Sequence, residues 1–196
     1  MAQQLPPGTP GIREQLRLAA LRSYAILDTP REQAYDDVAE AIHRRFSSAV
    51  ALVSFVDGER QWFKACVGGD FATVDRQHAF CSFVVEHRAP MTILDARRDH
   101  RFATNPFVTG DAGLRFYAGA PLVTALGRCI GTVAAIDNRP RSGWSERDAL
   151  DLSTFAVEVM RMLEVRRANL VRARALSQHL PPDRSPPWWN CGPKPA

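Results

Sequence analysis

The sequence lacks several signals that assign a function directly. Its four cysteines form no CxxC pair and no cysteine–histidine metal spacing, and it contains neither a nucleotide-binding glycine motif nor an internal repeat. The longest uncharged apolar stretches, around residues 50–56 and 116–126, are too short to cross a bilayer. The N-terminus has no basic or apolar region of a signal peptide. We therefore expect a cytoplasmic protein without a metal site or a membrane contact.

The composition is that of one globular domain with extensions. The chain has 196 residues, of which 45% are hydrophobic and 23% charged, and its net charge is +4. From Arg161 onward, six arginines and one lysine oppose only Glu164 and Asp183, so the rest of the chain is nearly neutral. This placement indicates a solvated basic helix or a face for an acidic partner, and it argues against nucleic acid as a partner.

Hydrophobic periodicity predicts an ordered series of helices and strands. Apolar residues at spacings of three and four predict a helix over residues 12–25 and a second helix that begins with a capping box at Thr29–Glu32. A third helix is predicted over 78–87, and a last helix from Ser145. Strands are predicted over 49–56, 61–67, 91–94, 115–124 and 129–137, with a polar connection at 70–77 and a long loop at 95–114.

This order predicts an α+β fold with a central antiparallel sheet of about five to six strands. We expect the N- and C-terminal helices on one face, and the short helix and the long loop over a cavity on the other face. We expect a disordered N-terminus at 1–10, a single domain at 11–165, a helical extension at 166–180 and a disordered, proline-rich tail at 181–196.

Several phrases in order along residues 21–165 resemble the GAF domain family. They are ILDTP (26–30), RQWFK (60–64), AFC (79–81), RFYAGAPL (115–122) and IGT (130–132). The resemblance is to the sensor modules of bacterial signal transduction that are attached to histidine kinases and diguanylate cyclases. It implies a GAF-like fold, a homodimer through the terminal helices, and a histidine kinase or cyclase as partner in trans. The signatures of cyclic-nucleotide-binding and bilin-binding members are absent, and the cysteines do not reproduce the pattern of free-methionine-sulfoxide reductases.

The candidate ligand site lies beneath the long loop. Arg115 and Tyr117 share one face of a strand, and if that face carries the loop they suit an anionic ligand. Alternatively, Arg115 pairs with Asp95 or Asp99 and holds the loop. Phe102 and Phe107 are expected to be apolar plugs, while Asp95, Asp99 and Arg101 fasten the loop. The full candidate set is Trp62, Phe80, Cys81, Asp95, Asp99, Phe102, Phe107, Arg115 and Tyr117.

These features favour a sensory module that binds an unknown small molecule and signals through its terminal helices. No catalytic constellation is visible, so the sequence predicts a protein that is not an enzyme, and no cofactor is identified. Two alternatives stay open. Cys81 at a helix start, with His78 three residues before it, allows a thiol-based redox sensor or enzyme. A filled interior would instead indicate a structural dimerisation module without a ligand.

Overall fold

The computed structural model describes residues 11–179, and the side chains up to residue 177. Six strands form one antiparallel sheet in the order β3–β2–β1–β6–β5–β4. The strands are β1 (Val50–Val56), β2 (Arg60–Val67), β3 (Thr73–Asp75), β4 (Met91–Ile93), β5 (Phe116–Val123) and β6 (Cys129–Asp137). The helices are α1 (Ile12–Ser23), α2 (Gln33–Phe46), α3 (Phe80–His87), α4 (Pro106–Thr109) and α5 (Glu146–His179).

The two faces of the sheet carry different layers. Alternate residues of β1 divide between them: Val53 and Phe55 pack against α1, α2 and α5, whereas Leu52 and Val56 pack against α3 and the 95–114 loop. The predicted α+β fold, with terminal helices on one face and the short helix and long loop on the other, is confirmed. The sheet separates a loop-side interior from the helices that enter and leave the domain.

The last helix, α5, is 34 residues long and begins as the sequence predicts. Ser145 and Asp148 cap it reciprocally, because each backbone N–H donates to the other residue's side chain at 3.1 Å. Leu152, Val159 and Leu163 then bury one face against the sheet, while most side chains from residue 168 to residue 177 are exposed. The predicted disordered segments, 1–10 and 181–196, lie outside the described residues, and the predicted domain limits stay a prediction.

The start of α2 differs from the sequence prediction. The helix begins at Gln33, and its N-cap residue, Glu32, makes no capping hydrogen bond with its side chain. The Glu32 carboxylate instead accepts from Lys64 Nζ at 2.7 Å and from Arg166 Nη1 at 3.0 Å. Thr29 donates its hydroxyl to the carbonyl of Ile26. The predicted capping box at Thr29–Glu32 is therefore wrong, because two cations from distant elements recruit the carboxylate that would close it.

The connection at 70–77 also contains an element that the sequence did not reveal. Thr73–Asp75 forms the edge strand β3 and pairs with residues 60–62 of β2. Three residues are too few to display an alternating pattern, and the pairing depends on β2 being in place. Among the helices of residues 11–179, none has both the length and the apolar character needed to cross a membrane.

Candidate functional site

Five neutral polar side chains meet in the interior between the sheet and α3. They come from five different elements, and none is more than 3% exposed. They are Ser54 on β1, Gln61 on β2, Cys81 on α3, Tyr117 on β5 and Thr132 on β6. The surrounding residues of this interior are apolar. We call these five residues the interior polar cluster.

Hydrogen bonds connect all five members of this cluster. Gln61 Nε2 donates to Ser54 Oγ at 2.9 Å and to Cys81 Sγ at 3.1 Å. The Ser54 and Thr132 hydroxyl oxygens lie 3.1 Å apart and share a hydrogen bond. The Tyr117 hydroxyl donates to Cys81 Sγ at 3.2 Å. Each side chain of the interior polar cluster therefore has a partner, which offsets the cost of burying it in a medium of low dielectric.

Burial sets the protonation state of Tyr117. Burial, and then its contact with Cys81, raises the pKa of Tyr117 well above its usual value. The phenol is therefore neutral at physiological pH and serves as a hydrogen-bond donor. Because Ser54, Gln61 and Thr132 carry no charge either, the interior presents hydrogen-bonding groups without a fixed charge.

Gly119 makes room for Tyr117 in this interior. A Cβ atom at Gly119 would collide with the Tyr117 hydroxyl oxygen and would lie 2.7 Å from Cζ of the ring. The ring therefore lies over the backbone of its own strand, two residues further along. Only glycine allows this approach, because any side chain at position 119 would push the ring towards α3.

Aromatic rings fill the space where the sequence predicts a cavity. The Phe80 ring stacks on Phe102 with centroids 4.2 Å apart and lies 5.4 Å from the Tyr117 ring. Phe83 meets Phe102 edge-on at 4.6 Å. The roof over the sheet is thus a packed aromatic layer, held to the loop by a hydrogen bond from Asn105 Nδ2 to the carbonyl of His78 at 2.9 Å.

The structure brings some of the predicted site residues together and places others elsewhere. Phe80, Cys81, Phe102 and Tyr117 form the interior, and Phe107 packs against its periphery. Trp62 does not belong to this site. It lies on the opposite face of the sheet, 8% exposed, and its ring stacks on Phe55 with centroids 6.3 Å apart.

Arg115 binds the loop at residues 95–114, which covers the interior polar cluster together with α3. As one of the two predicted alternatives requires, it contacts the loop side of the sheet, but its partners are not Asp95 or Asp99. Its Nη1 donates to the carbonyl of Val108 at 2.9 Å and to that of Leu114 at 3.0 Å. The hydrogen bonds of Arg115 therefore go to the backbone of the loop and not to the interior polar cluster.

Asp95 and Asp99 fasten the loop by two copies of one local arrangement. Asp95 accepts from Arg97, with Nη2 at 2.9 Å, and Asp99 accepts from Arg101, with Nη2 at 2.6 Å. These hydrogen bonds lower the pKa of Asp95 and the pKa of Asp99, so both side chains are carboxylates at neutral pH. Both lie at the surface, outside the interior polar cluster.

Three members of the interior polar cluster escaped the sequence prediction: Ser54, Gln61 and Thr132. Ser54 interrupts the apolar run ALVSFV, and Thr132 interrupts CIGTVAAI. A polar residue at the centre of a strand that is covered on both faces is the signal that could have found them. Gln61 follows a hairpin turn, where a polar residue is ordinary, and so carries no signal of its own.

The predicted thiol pair does not form. The ring of His78 makes its hydrogen bond with Gln77, at 3.2 Å, whereas Cys81 Sγ is held by Gln61 and Tyr117. Cys81 is also only 2% exposed. Among residues 11–177, no three histidine, cysteine or acidic side chains are grouped so that they could hold a metal ion.

Comparisons with known proteins agree with this architecture. The sequence model of the GAF domain matches residues 30–163. Over 156 residues the chain is 35% identical to a cyclic di-GMP phosphodiesterase of Pseudomonas aeruginosa, covering 80% of this chain and 27% of that protein. The chain thus spans about a quarter of the length of this curated relative.

Two solved structures are similar in fold. The GAF domain of an Acinetobacter phosphoenolpyruvate-protein phosphotransferase has a TM-score of 0.59 at 14% identity, over 81% of this chain and 97% of that one. The type II free methionine-R-sulfoxide reductase of Thermoplasma acidophilum has a TM-score of 0.54 at 11% identity, over 77% of this chain and 94% of that one.

These relatives correct one prediction from the sequence. We expected a protein that is not an enzyme, and that prediction is wrong: the 35%-identical relative is named a phosphodiesterase, and a protein of the same fold is a reductase. A missing catalytic constellation is weak evidence in a chain that matches only 27% of an enzyme.

Proposed function

Since residues 30–163 match the GAF domain model, this chain belongs to the GAF domain family, and we propose that it is a sensory domain for a small, neutral, polar molecule. The ligand binds in the interior between the sheet and α3, and its occupancy alters the packing of α1 and α5. The relative's name favours an enzyme of cyclic di-GMP turnover as the regulated partner, in the same chain or another one. The cytoplasmic location predicted from the sequence is part of this proposal.

The observation that carries the proposal is the interior polar cluster. A core built only for stability would place apolar side chains at these five positions, because burying polar groups costs free energy even when they are paired. Here Ser54, Gln61 and Thr132 are buried beneath a short helix and a loop, which are the parts of a fold that open most easily. The packed aromatic layer favours the alternative of a structural dimerisation module over a preformed cavity. The polar cluster supports a binding role because, when α3 and the loop open, its donors and acceptors can exchange partners with a ligand.

The chemistry of the cluster indicates a neutral ligand. Its members are hydroxyls, an amide and a thiol, and Arg115, the candidate cation from the sequence, donates to loop carbonyls rather than to the cluster. The cluster itself offers no counter-charge, so an anion that binds among these side chains would lose hydration without compensation from them. A molecule with hydroxyl, amide or ring-nitrogen groups would replace the Tyr117 hydroxyl as a partner of Cys81.

The sheet offers a route from this interior to the terminal helices. On β2, Gln61 contacts the interior polar cluster, and three residues later the fully buried Lys64 side chain contacts Glu32 on the helical face. Glu32 also accepts from Arg166 of α5 at 3.0 Å. Ligand binding can signal through this route only if the affinity of the domain for the ligand differs between two packings of the terminal helices α1 and α5.

The proposal includes a homodimer that forms through the terminal helices α1 and α5. On α1, Ile12 and Leu16 are 71% and 47% exposed, and on α5, Val157 is 69% exposed. These apolar side chains lie on the two helices that would meet those of a second copy. Their burial in a dimer would make the packing of α1 and α5 sensitive to the ligand. The histidine kinase or cyclase partner suggested by the sequence stays a prediction.

The test is a thermal-shift screen of the domain against a library of neutral metabolites, with Gln61→Leu as the site variant. We expect at least one compound to raise the melting temperature of the wild-type domain and to leave the Gln61→Leu variant unchanged. Gln33→Leu, at an exposed position of α2, is the matched control and keeps the response. If every compound that raises the melting temperature acts equally on the Gln61→Leu variant, the interior is not the site.

The thiol alternative has less support. The low exposure of Cys81 closes it to oxidants, and it has no histidine partner. Labelling with a thiol reagent under native conditions distinguishes the two functions. The sensor proposal predicts that Cys81 reacts only when the roof opens, more slowly than the half-buried Cys66.

A further inference from the structure

A groove of about 760 Å³ lies where α2 ends, β1 begins and β6 ends. Its lining comes from the last turn of α2, from the residues that lead into β1, and from the segment after β6: His43, Arg44, Phe46, Ser47, Ser48, Ala49 and residues 137–141. None of these residues belongs to the interior polar cluster. The groove is therefore separate from the proposed sensory site.

Two buried side-chain atoms of this groove lack a hydrogen-bond partner. Across the described part of the chain, His43 Nδ1 and Ser48 Oγ are the buried side-chain nitrogen and oxygen atoms without one. Ser48 is only 1% exposed. Buried polar groups are nearly always paired, so each exception needs a physical explanation. Both atoms belong to residues that line this one groove.

The local backbone explains why the protein does not supply these partners itself. Ser47 ends α2 in the left-handed conformation, with φ of +47°, and the Ser48 N–H then donates to the carbonyl of His43 at 3.3 Å. The nearby Asp137 carboxylate is occupied, since it accepts from Ala49 N at 2.7 Å and from Arg141 Nε at 2.9 Å. Neither of these contacts involves the Ser48 hydroxyl.

The groove carries an excess of positive charge. Three arginines line it, against the single carboxylate of Asp137, which Arg141 pairs with. Arg139 is exposed and has no hydrogen bond or ion pair with any residue in the range 11–177. Arg44 contacts Glu40 only at 3.4 Å, and its side chain is 69% exposed. Arg44 and Arg139 can therefore move to admit a ligand and then contact it.

We propose that this groove binds an oxyanion, the phosphoryl or carboxylate group of a small molecule. The Ser48 hydroxyl and the N–H of His43 Nδ1, in the tautomer that protonates this nitrogen, donate to its oxygens, and the Arg139 guanidinium supplies the counter-charge. Arg45, next along α2, pairs with Asp148 and Asp151 of α5, so an occupant of the groove would bind beside the contact between these helices.

Titration with inorganic phosphate at constant ionic strength tests this site, with NMR signals of the His43 imidazole and the Arg139 guanidinium as readout. We expect saturable shifts in the wild-type domain and binding weaker by about tenfold in Ser48→Ala. Ser48→Ala removes only a hydroxyl without a partner, so the fold is retained. Arg98→Ala, at a side chain that is 89% exposed and does not line the groove, is the matched control and binds as the wild type does.

A parallel titration with sodium acetate assigns the group. Saturation by phosphate alone identifies a phosphoryl group, and saturation by acetate alone identifies a carboxylate. Shifts that rise linearly with both anions, or that are equal in the wild-type domain and Ser48→Ala, show an adventitious ion only and overturn the proposal.

Discussion

The Tyr117 hydroxyl donates to Cys81 Sγ across the interior, at 3.2 Å, and so joins β5 of the sheet to α3 of the roof. Gln61 of β2 donates to the same sulfur. Cys81 is thus the roof residue through which α3 is bonded to the polar side chains of the sheet. A ligand that accepts from these two donors would break the hydrogen bonds that Cys81 of α3 makes with the sheet.

The hydrogen bond between Tyr117 and Cys81 should make a measurable contribution to the stability of the domain. Tyr117→Phe removes one buried hydrogen bond and should lower the free energy of unfolding by about 0.5–1.5 kcal/mol, which is roughly 1–6 °C in Tm. Urea denaturation measures this change. Tyr35→Phe is the control, because the Tyr35 hydroxyl makes no hydrogen bond with the described residues. Equal losses in both variants would contradict a specific role for the Tyr117 hydroxyl.

Because Tyr117 lies so close to Gly119, a methyl group added at position 119 should markedly lower the free energy of unfolding. Gly119→Ala places Cβ in collision with the Tyr117 hydroxyl and should destabilise the domain by about 1–3 kcal/mol. Gly143→Ala, where an added Cβ meets no atom within 4 Å, should change stability little. Adding Tyr117→Leu to Gly119→Ala should recover part of the loss, as a double-mutant cycle of unfolding free energies would show. Strict additivity would exclude the contact.

Glu14 makes the attachment of α1 sensitive to acid. Hydrogen bonds from Arg17, and then from Arg76, lower the pKa of Glu14 from 4.5 to about 2. The folded state holds this proton more weakly than the unfolded state does, so the contribution is complete above pH 4.5 and is lost as pH falls towards 2. Glu14→Gln should therefore destabilise the domain most at neutral pH and progressively less below pH 4.5.

Urea denaturation at pH 7, 4.5 and 3 measures this pH dependence. Glu59→Gln is the matched control, because Glu59 is exposed and forms no ion pair among the described residues. A destabilisation by Glu14→Gln that is constant across these pH values would show that Arg17 and Arg76 do not hold the carboxylate in solution.

Arg166 joins α5 to the segment between α1 and α2. Its guanidinium donates to the carbonyl of Tyr24 at 3.1 Å, to that of Ala25 at 3.0 Å and to Glu32. Ala25 has a φ of +45°, a strained conformation for a residue with a Cβ, and Arg166 helps to hold it. Arg166→Ala should speed amide hydrogen exchange both at residues 24–32 and in α5 beyond residue 166.

The matched control for Arg166→Ala is Arg172→Ala, which lies on the exposed part of the same helix. It removes the same charge without touching the segment between α1 and α2. If both variants change hydrogen exchange equally, the change is caused by helix propensity and charge and not by the loss of the Arg166 hydrogen bonds to residues 24–32.

Features that depend on neighbouring residues could be predicted from the sequence, whereas features that depend on contacts between distant residues could not. The reciprocal cap of Ser145 and Asp148 was predictable because both partners lie within one turn. The start of α2 was not, since Lys64 and Arg166 engage Glu32 from remote positions. In the site, Tyr117 was predictable from its strand and Cys81 from its helix, but the bond that joins them depends on the packing of α3 on the sheet.

The most direct test of the account follows hydrogen exchange in α3 and in α5 when the domain binds a neutral compound from the thermal-shift screen. We predict that exchange changes in α3, at the interior polar cluster, and also at residues 164–179 of α5, and that Arg166→Ala removes the change in α5 alone. A compound that alters exchange in α3 of the wild-type domain and leaves α5 untouched would contradict signalling through the terminal helices.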